Sequence, residues 1–321
     1  MKKTTIKTIK SNRKSNLVVA PVKRSAYYFI FAENVIAYTR ALGKVRTAET
    51  YATSLNSFKR YRNNRDIKIS DITTEVIMGY EAYLKNLNIC PNTISFYMRN
   101  IRSIYNRAVK LGVTKQQHPF LQVYTGIDKT IKRAISIKTL KKLKALSFTN
   151  RPSMEYARDM FLFSFYTRGM SFVDMAHLRK KDLNEGILSY HRCKTGQRLF
   201  IKWESCMQEI VDKYEKKDSI YLLPILNPTR RISERKQYIY ASHNVNRNLK
   251  IIGQLLHLSQ PLTMYVARHT WASVAQNKNI PLTVISKALG HDSESTTRIY
   301  LSSLDNNAID KANKQILRSL L

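Results

Sequence analysis

The sequence predicts a mainly α-helical protein with a small β-sheet, divided into two domains. Apolar side chains recur at helical spacing along much of the chain, and only 9 glycines and 8 prolines interrupt its 321 residues. Two short strand-like segments flank a single turn signal in the second half. The length exceeds that of one ordinary compact domain, and 43% hydrophobic residues suffice for two cores.

The first domain is predicted over residues 25–113 as four helices. The second helix follows Thr47, and the third begins at residue 73 or 74. The fourth begins at Pro91-Asn92, with Asn92 as its candidate cap, and ends at Gly112. The apolar stripe of this fourth helix consists of Ile94, Met98, Ile101, Tyr105 and Ala108.

The other faces of the fourth helix carry cationic side chains. A basic helix on a small bundle suits a DNA backbone or a major groove, although an exposed charged face is more often simply solvated. The candidates for contact with DNA are Arg99, Arg102, Arg107 and Lys110.

The second domain is predicted over residues 134–321, after a linker at residues 114–133 where helical periodicity fades. Strands at 187–192 and 198–203 flank the hairpin turn signal Lys194-Thr195-Gly196-Gln197. Helices are expected near 137–146, 156–167, 242–255, 264–275 and 282–289. A last helical stripe consists of Ile309, Ala312, Ile316 and Leu320.

Charge is the strongest feature of the composition. Lys and Arg number 55 against 22 Asp and Glu, which gives a net charge of +33 and an isoelectric point near 10.1. Self-repulsion of this size does not help folding, so we predict a polyanionic partner. Basic residues recur along the whole chain, which favours nucleic acid over a membrane surface. Residues 1–24 are predicted to be a basic arm on phosphates, with an unstructured tail as an equal alternative.

Cysteines and apolar runs exclude other classes of protein. Cys90, Cys193 and Cys206 are odd in number and lack metal-ligand spacing, so neither a disulfide framework nor a zinc site is predicted. No apolar run approaches the length of a membrane span. We expect a cytoplasmic, nucleoid-associated protein without a cofactor.

Three segments in the last third concentrate reactive side chains: Tyr265-Val266-Ala267-Arg268-His269, Leu289-Gly290-His291 and Arg298-Ile299-Tyr300. Tyr300 follows His291 by nine residues. In this order the segments resemble the tyrosine recombinase (phage integrase) family, of the mobile-element type. The family pattern is His-x-x-Arg-His, Leu-Gly-His and a Tyr nine residues on. The resemblance covers most of the chain and implies a helical, SAM-like core-binding domain followed by an α+β catalytic domain.

The resemblance implies a site-specific recombinase that cleaves and rejoins DNA through a 3′-phosphotyrosine, for integration, excision or inversion. Attack on a phosphodiester builds negative charge, which fixed guanidinium groups such as that of Arg268 can stabilise without a metal. A phenol with an ordinary pKa of about 10 needs nearby cations or a base to lose its proton. By resemblance, Tyr300 is the nucleophile and His291 assists the proton transfer or binds the phosphate. Lys194, on the hairpin turn, is the general acid for the leaving 5′-oxygen.

One departure from the family pattern concerns the first catalytic arginine, whose place Ser171 takes in Gly169-Met170-Ser171. Arg168 precedes Ser171 by three positions and would share its face if a helix began early. Arg192 precedes Lys194 by two, so on a strand both would point to the same side. We favour Arg192 as the replacement and keep Arg168 as the alternative.

A second departure is Tyr265, which stands where the family has the first His of His-x-x-Arg. A phenol can still donate a hydrogen bond to a phosphate, so Tyr265 remains a candidate site residue.

Two other functions fit parts of the sequence. A catalytically silent DNA-binding regulator on the same fold is supported by the missing arginine, and a type IB-like topoisomerase shares the phosphotyrosine chemistry. The helical N-terminal half and the chain length favour the recombinase. The resemblance implies double-stranded DNA as the partner and a homotetramer on synapsed DNA that assembles from free monomers. An accessory DNA-bending protein is a further candidate.

Overall fold

The computed structural model describes residues 24–128 and 133–301, together with Leu317. The chain divides into two compact units, Met1–Lys129 and Thr130–Leu321. Both are mainly helical and the second contains a three-stranded sheet, so the predicted fold class is confirmed. Apart from Arg24, the predicted basic arm lies outside the described residues, as does the C-terminal stripe that begins at Ile309.

The first unit contains the four predicted helices. Helix α3 begins where the Thr73 side chain accepts a hydrogen bond from the Val76 backbone N–H. Helix α4 begins at Pro91, which lacks an N–H that a first turn would leave unpaired. Asn92 is not its cap, because the Asn92 amide instead bonds the backbone of Asp128 through both its oxygen and its nitrogen. The helices are α1 (Tyr28–Ala41), α2 (Val45–Tyr61), α3 (Thr74–Asn86) and α4 (Pro91–Lys110).

One aromatic core holds the first unit together. Phe58 lies at its centre, and its ring meets those of Tyr28 and Tyr80 edge to face, with centroids 5.7 and 5.1 Å away. The whole predicted stripe of α4 is buried in the same core. Phe120 and Val123 are buried there too, so part of the segment predicted as a linker packs on this unit. The predicted domain limits stay a prediction.

The second unit packs around one apolar helix, α6, in which Met160, Phe161 and Phe163 are fully buried. The five helices predicted between residues 137 and 289 are present. The short α7, the amphipathic α8 and α12 were missed, and α9 begins eight residues before its predicted start at Ser242. No helix among residues 24–128 and 133–301 has the length and apolar character needed to cross a membrane. The helices are α5 (Ile137–Ala145), α6 (Pro152–Tyr166), α7 (Phe172–His177), α8 (Ser205–Tyr214), α9 (Glu234–Leu255), α10 (Met264–Asn277), α11 (Leu282–Leu289) and α12 (Glu294–Leu301).

The sheet is an antiparallel meander of β1 (Leu183–Asn184), β2 (Ile187–His191) and β3 (Arg198–Lys202), in that order. The predicted strands β2 and β3 each end one residue early. Arg192 therefore lies outside β2, in the connection to the turn, and the predicted placement of Arg192 and Lys194 on one side of a strand is wrong.

Candidate active site

Arg268 lies on α10 and is only 6% exposed. Its Nη1 donates to the Gly169 carbonyl at 3.0 Å, and its Nη2 donates to the Leu289 carbonyl at 2.6 Å. A buried charge is tolerated when its donors are satisfied. Here the acceptors come from two separate segments, which together fix the orientation of the guanidinium.

Arg192 is the second buried guanidinium, at 9% exposure. Its Nη1 donates to the Gly290 carbonyl, the neighbour of the Leu289 carbonyl that holds Arg268. Both carbonyls lie at the C-terminus of α11, where unpaired carbonyl groups carry partial negative charge. One helix end therefore gathers both cations. Among the described residues, the buried Nε of Arg192 has no hydrogen-bond partner.

Two glycines make these close approaches possible. Gly169 has a φ of +73°, and a Cβ there would lie 2.7 Å from Arg268 Cα. Gly290 has a φ of +62°, and a Cβ there would lie 2.8 Å from Arg192 Cδ. A side chain at either position would combine an unfavourable backbone conformation with a steric conflict. Glycine is therefore required at both for the arginines to pack as they do.

The imidazole of His291 lies close to the charges of Arg268 and Arg192, and it is neutral. Its Nε2 is 3.1 Å from Arg268 Nη2, and because arginine can only donate, Nε2 is the acceptor. The proton then belongs on Nδ1, which donates to Thr297 Oγ1 at 2.7 Å. Burial, together with the charges of Arg268, Arg192 and Lys194, lowers the pKa of His291 to about 4.

This low pKa predicts that the second unit loses stability in mild acid. The folded-state pKa lies below the ordinary value of 6.5, so between pH 6.5 and 4 the unfolded chain binds a proton that the folded chain does not. Stability is thus intact above pH 6.5 and falls as the pH drops towards 4. Because the ring is only half-buried, we expect a loss of about 1 kcal/mol. Urea unfolding at several pH values would measure it, and in His291→Gln this part of the pH dependence should disappear. An unchanged pH dependence in that variant would contradict the prediction.

Arg168, the alternative to Arg192, does not donate a hydrogen bond to the carbonyls at the end of α11 that hold Arg268 and Arg192. Arg168 has a φ of +61° and lies in the turn between α6 and α7. The predicted helical face shared by Arg168 and Ser171 is therefore wrong. Arg168 Nη1 donates to the Phe200 carbonyl on β3 at 3.2 Å. Ser171 caps α7, because its hydroxyl accepts from the Asp174 N–H and donates to the Asp174 carboxylate at 2.6 Å.

Sequence reasoning assigned no role to two residues that link the parts of this site. The buried Asp174 accepts a hydrogen bond from the Cys193 N–H at 2.7 Å, which joins α7 to the chain between Arg192 and Lys194. The buried Thr297 joins α12 to His291. Their positions near the motifs were a usable signal, since Asp174 follows Ser171 by three residues and Thr297 precedes Tyr300 by three residues.

Of the remaining predicted residues, two lie at the rim of the site, and the side chain of the third lies outside the described residues. Lys194 is exposed on the β2–β3 turn, close enough for its charge to act on His291. Tyr265 is 58% exposed at the start of α10, and its ring meets that of His269 edge-on at 4.6 Å. Tyr300 belongs to α12, but its side chain lies outside the described residues. Within residues 24–128 and 133–301, no group of three His, Cys, Asp or Glu residues could hold a metal ion.

Two family models match the chain, one in each unit. The phage integrase SAM-like domain matches residues 27–124, and the phage integrase family matches residues 137–307. The chain belongs to the phage integrase family. The resemblance carried by the three motifs is thereby confirmed, and with it the predicted activity, site-specific recombination by an enzyme that cleaves and rejoins DNA.

Curated relatives of this phage integrase chain include tyrosine recombinase XerC from Treponema denticola, 23% identical over 294 residues, with 85% of this chain and 92% of the relative covered. Tyrosine recombinase XerD from Listeria monocytogenes is 22% identical over 271 residues, with 77% and 88% covered.

Solved structures show the same fold. A lambda integrase tetramer bound to a Holliday junction matches with a TM-score of 0.62 at 15% identity, over 84% of this chain and 79% of that one. The XerH recombinase bound to palindromic difH substrate in a post-cleavage complex matches with a TM-score of 0.63 at 16% identity, over 89% and 84%.

In the SAM-like domain, the four cationic residues predicted on α4 differ in their surroundings. Arg99 and Lys110 are exposed, and Arg102 is half-buried. Arg107 stacks on the Tyr38 ring of α1, with its guanidinium carbon 5.0 Å from the ring centroid. Arg107 therefore takes part in packing between helices.

Proposed function

We propose that Tyr300 attacks the scissile phosphate, forms a 3′-phosphotyrosine and releases the 5′-hydroxyl of the broken strand. The observation that carries this assignment is the pair of buried guanidiniums, Arg268 and Arg192, on adjacent carbonyls beside His291. The helix that follows these groups, α12, includes Tyr300. Two such cations beside a neutral imidazole suit an anionic, pentacoordinate transition state.

Arg268 and Arg192 donate to the non-bridging oxygens of the phosphate as negative charge develops there. Both side chains are already ordered by backbone carbonyls, so little reorganisation is needed when DNA arrives. The unpartnered Nε of Arg192 supplies a donor that competes with no existing bond among the described residues. This arrangement supports Arg192 rather than Arg168 as the replacement for the arginine that Ser171 lacks.

His291 accepts the proton of the Tyr300 phenol. When a phosphate oxygen takes the hydrogen bond of Arg268 Nη2, the lone pair on His291 Nε2 is released for this purpose. The bond from Nδ1 to Thr297 keeps the ring in the tautomer that can accept at Nε2. Tyr265, at the exposed rim, donates a further hydrogen bond to the phosphate.

Lys194 donates a proton to the leaving 5′-oxygen. Its place on an exposed turn allows it to enter a DNA groove beside the broken bond. In the second step, the 5′-hydroxyl of another strand attacks the phosphotyrosine. That attack reforms a phosphodiester and releases Tyr300, so bonds are exchanged without an external energy source.

The partner of this enzyme is double-stranded DNA, and four copies act together on two synapsed duplexes. The similarity to a lambda integrase tetramer on a Holliday junction supports this assembly. The net charge of +33 makes the free chains repel one another, which supports a monomer that assembles on DNA. We place the protein in the cytoplasm, at the nucleoid, with an accessory DNA-bending protein as a candidate helper.

A nicked suicide substrate tests the proposal. The nick lets the short cleaved fragment diffuse away, so an active enzyme is trapped on the DNA through its phosphotyrosine. We expect a protein–DNA adduct that survives denaturation. A silent regulator would bind the same DNA without an adduct. A topoisomerase would relax supercoiled DNA that lacks a recombination site, which we do not expect here.

DNA affinity should fall log-linearly with salt concentration. Phosphate contacts release condensed counterions, and each contact adds about 0.9 to the slope of log affinity against log salt concentration. Replacement of exposed Arg99 or Lys110 by Ala should lower that slope by about one if each contacts a phosphate. Fluorescence anisotropy between about 50 and 300 mM salt would measure it. A flat salt dependence of the unaltered chain would mean that its charge serves another purpose.

A further inference from the structure

The outer face of the sheet carries cations that the recombination chemistry does not use. The outward side chains of β3 are Arg198, Phe200 and Lys202, and Phe200 is 55% exposed. Exposed aromatic side chains among cations are typical of nucleic-acid surfaces. This face begins four residues after Lys194, on the same hairpin.

Phe200 holds two guanidiniums in place, one on this face and one at the edge of the sheet. The guanidinium of Arg198 lies over the Phe200 ring, 5.0 Å from its centroid, and its Nε donates to Ser189 Oγ at 2.9 Å. Arg168 Nη1 donates to the carbonyl of the same phenylalanine at 3.2 Å. Because β3 is an edge strand, Arg168 lies at the edge of the sheet, while Arg198 lies on its face.

Neither guanidinium is paired with a carboxylate among the residues that the structure describes. Among the described residues, no carboxylate lies within 4.0 Å of Arg168 or Arg198, although eight ion pairs occur elsewhere. Ordering two long side chains without an acidic partner leaves their charge and most of their N–H groups for an external anion. A planar guanidinium that is already oriented suits a phosphate, which it can bind with two hydrogen bonds.

We propose that Arg168 and Arg198, fixed on Phe200, form a clamp for a DNA backbone phosphate next to the cleaved one. The inference rests on the proposed function, because it assumes that the Lys194 turn lies at the scissile bond. Charge favours DNA over a second copy of the chain, since each copy carries a net charge of +33. Arg168, left aside by the catalytic assignment, thereby receives a role in holding the strand.

Single methylphosphonate substitutions test the clamp, because each removes the charge of one phosphate. The DNA is a half-site duplex selected by footprinting, and every protein carries Tyr300→Phe so that only binding is measured. We expect that neutralising one phosphate beside the scissile position weakens binding about fivefold to thirtyfold. Arg168→Ala combined with Arg198→Ala should weaken binding of natural DNA to a similar extent. The double variant should then be insensitive to methylphosphonate at that position.

Two further variants sharpen the result. Phe200→Leu keeps the carbonyl that holds Arg168 but removes the ring under Arg198, so it should remove part of the coupling. Lys217→Ala removes one exposed charge from the loop after α8 and should leave the coupling intact. Coupling to the scissile phosphate alone, or to no phosphate, would overturn the clamp. A covalent complex that persists in Tyr300→Phe would instead overturn the assignment of the nucleophile.

Discussion

Tyr300→Phe is expected to bind DNA with unchanged affinity and to form no covalent complex with a suicide substrate. The substitution removes one oxygen atom, so charge and packing are preserved while the nucleophile is lost. Denaturing gel electrophoresis of the trapped adduct gives the readout, and an electrophoretic mobility shift confirms binding. Of all the substitutions considered, this one should have the largest effect.

A matched control is available on α9. Tyr240 is 63% exposed, and Tyr240→Phe removes the same atom from a tyrosine that the mechanism does not use. That variant should form the adduct as the unaltered chain does. An adduct in Tyr300→Phe would show that another tyrosine attacks, and Tyr265 would be the next to replace.

Arg192→Ala is expected to slow cleavage about 100-fold to 1,000-fold, with little change in DNA affinity. Removal of one fixed donor that stabilises charge in the transition state commonly has an effect of this size. Arg192→Lys should restore little, because an ammonium lacks the fork of donors that reaches both the Gly290 carbonyl and a phosphate. Single-turnover cleavage of a nicked substrate separates chemistry from assembly and product release.

The ranking of the substitutions at positions 168, 171 and 192 tests which arginine is catalytic. Arg168→Ala should slow cleavage less than Arg192→Ala, because the guanidinium of Arg168 donates to the Phe200 carbonyl. Ser171→Ala should be mild, since the hydroxyl caps α7. A severe loss in Arg168→Ala beside a silent Arg192→Ala would transfer the catalytic role to Arg168. If neither slowed cleavage, Arg268 would be the one essential arginine of the site.

The helices and the motif residues could be predicted because local pattern determines them. The stripe on α4 is complete over five positions, and the spacing of Arg268, His291 and Tyr300 identified the family. The start of α9 was missed because its first turn consists of polar residues only and so shows no apolar stripe. The cap at Asn92 was wrong because the amide bonds the backbone of residue 128, a partner that no local pattern reveals.

The environment of Arg192 could not be predicted for the same physical reason. Arg192 and Gly290 are 98 positions apart, and their contact exists only after the hairpin packs against α11. The sequence favoured Arg192 through a strand geometry that is absent, so the proposed role of Arg192 now rests on its contact with the Gly290 carbonyl. Arg168 was placed on a helix, whereas its left-handed backbone lies in a turn.

The paired carbonyls of Leu289 and Gly290 have an evolutionary consequence. They are backbone groups, so they are present whatever the side chains nearby, and they accept a guanidinium from any segment that can reach them. Loss of an arginine in one segment can then be compensated by a new arginine in another segment, because the acceptor carbonyls do not change. The serine at position 171 is thus compatible with an intact site, because a guanidinium at position 192 reaches the same pair of carbonyls.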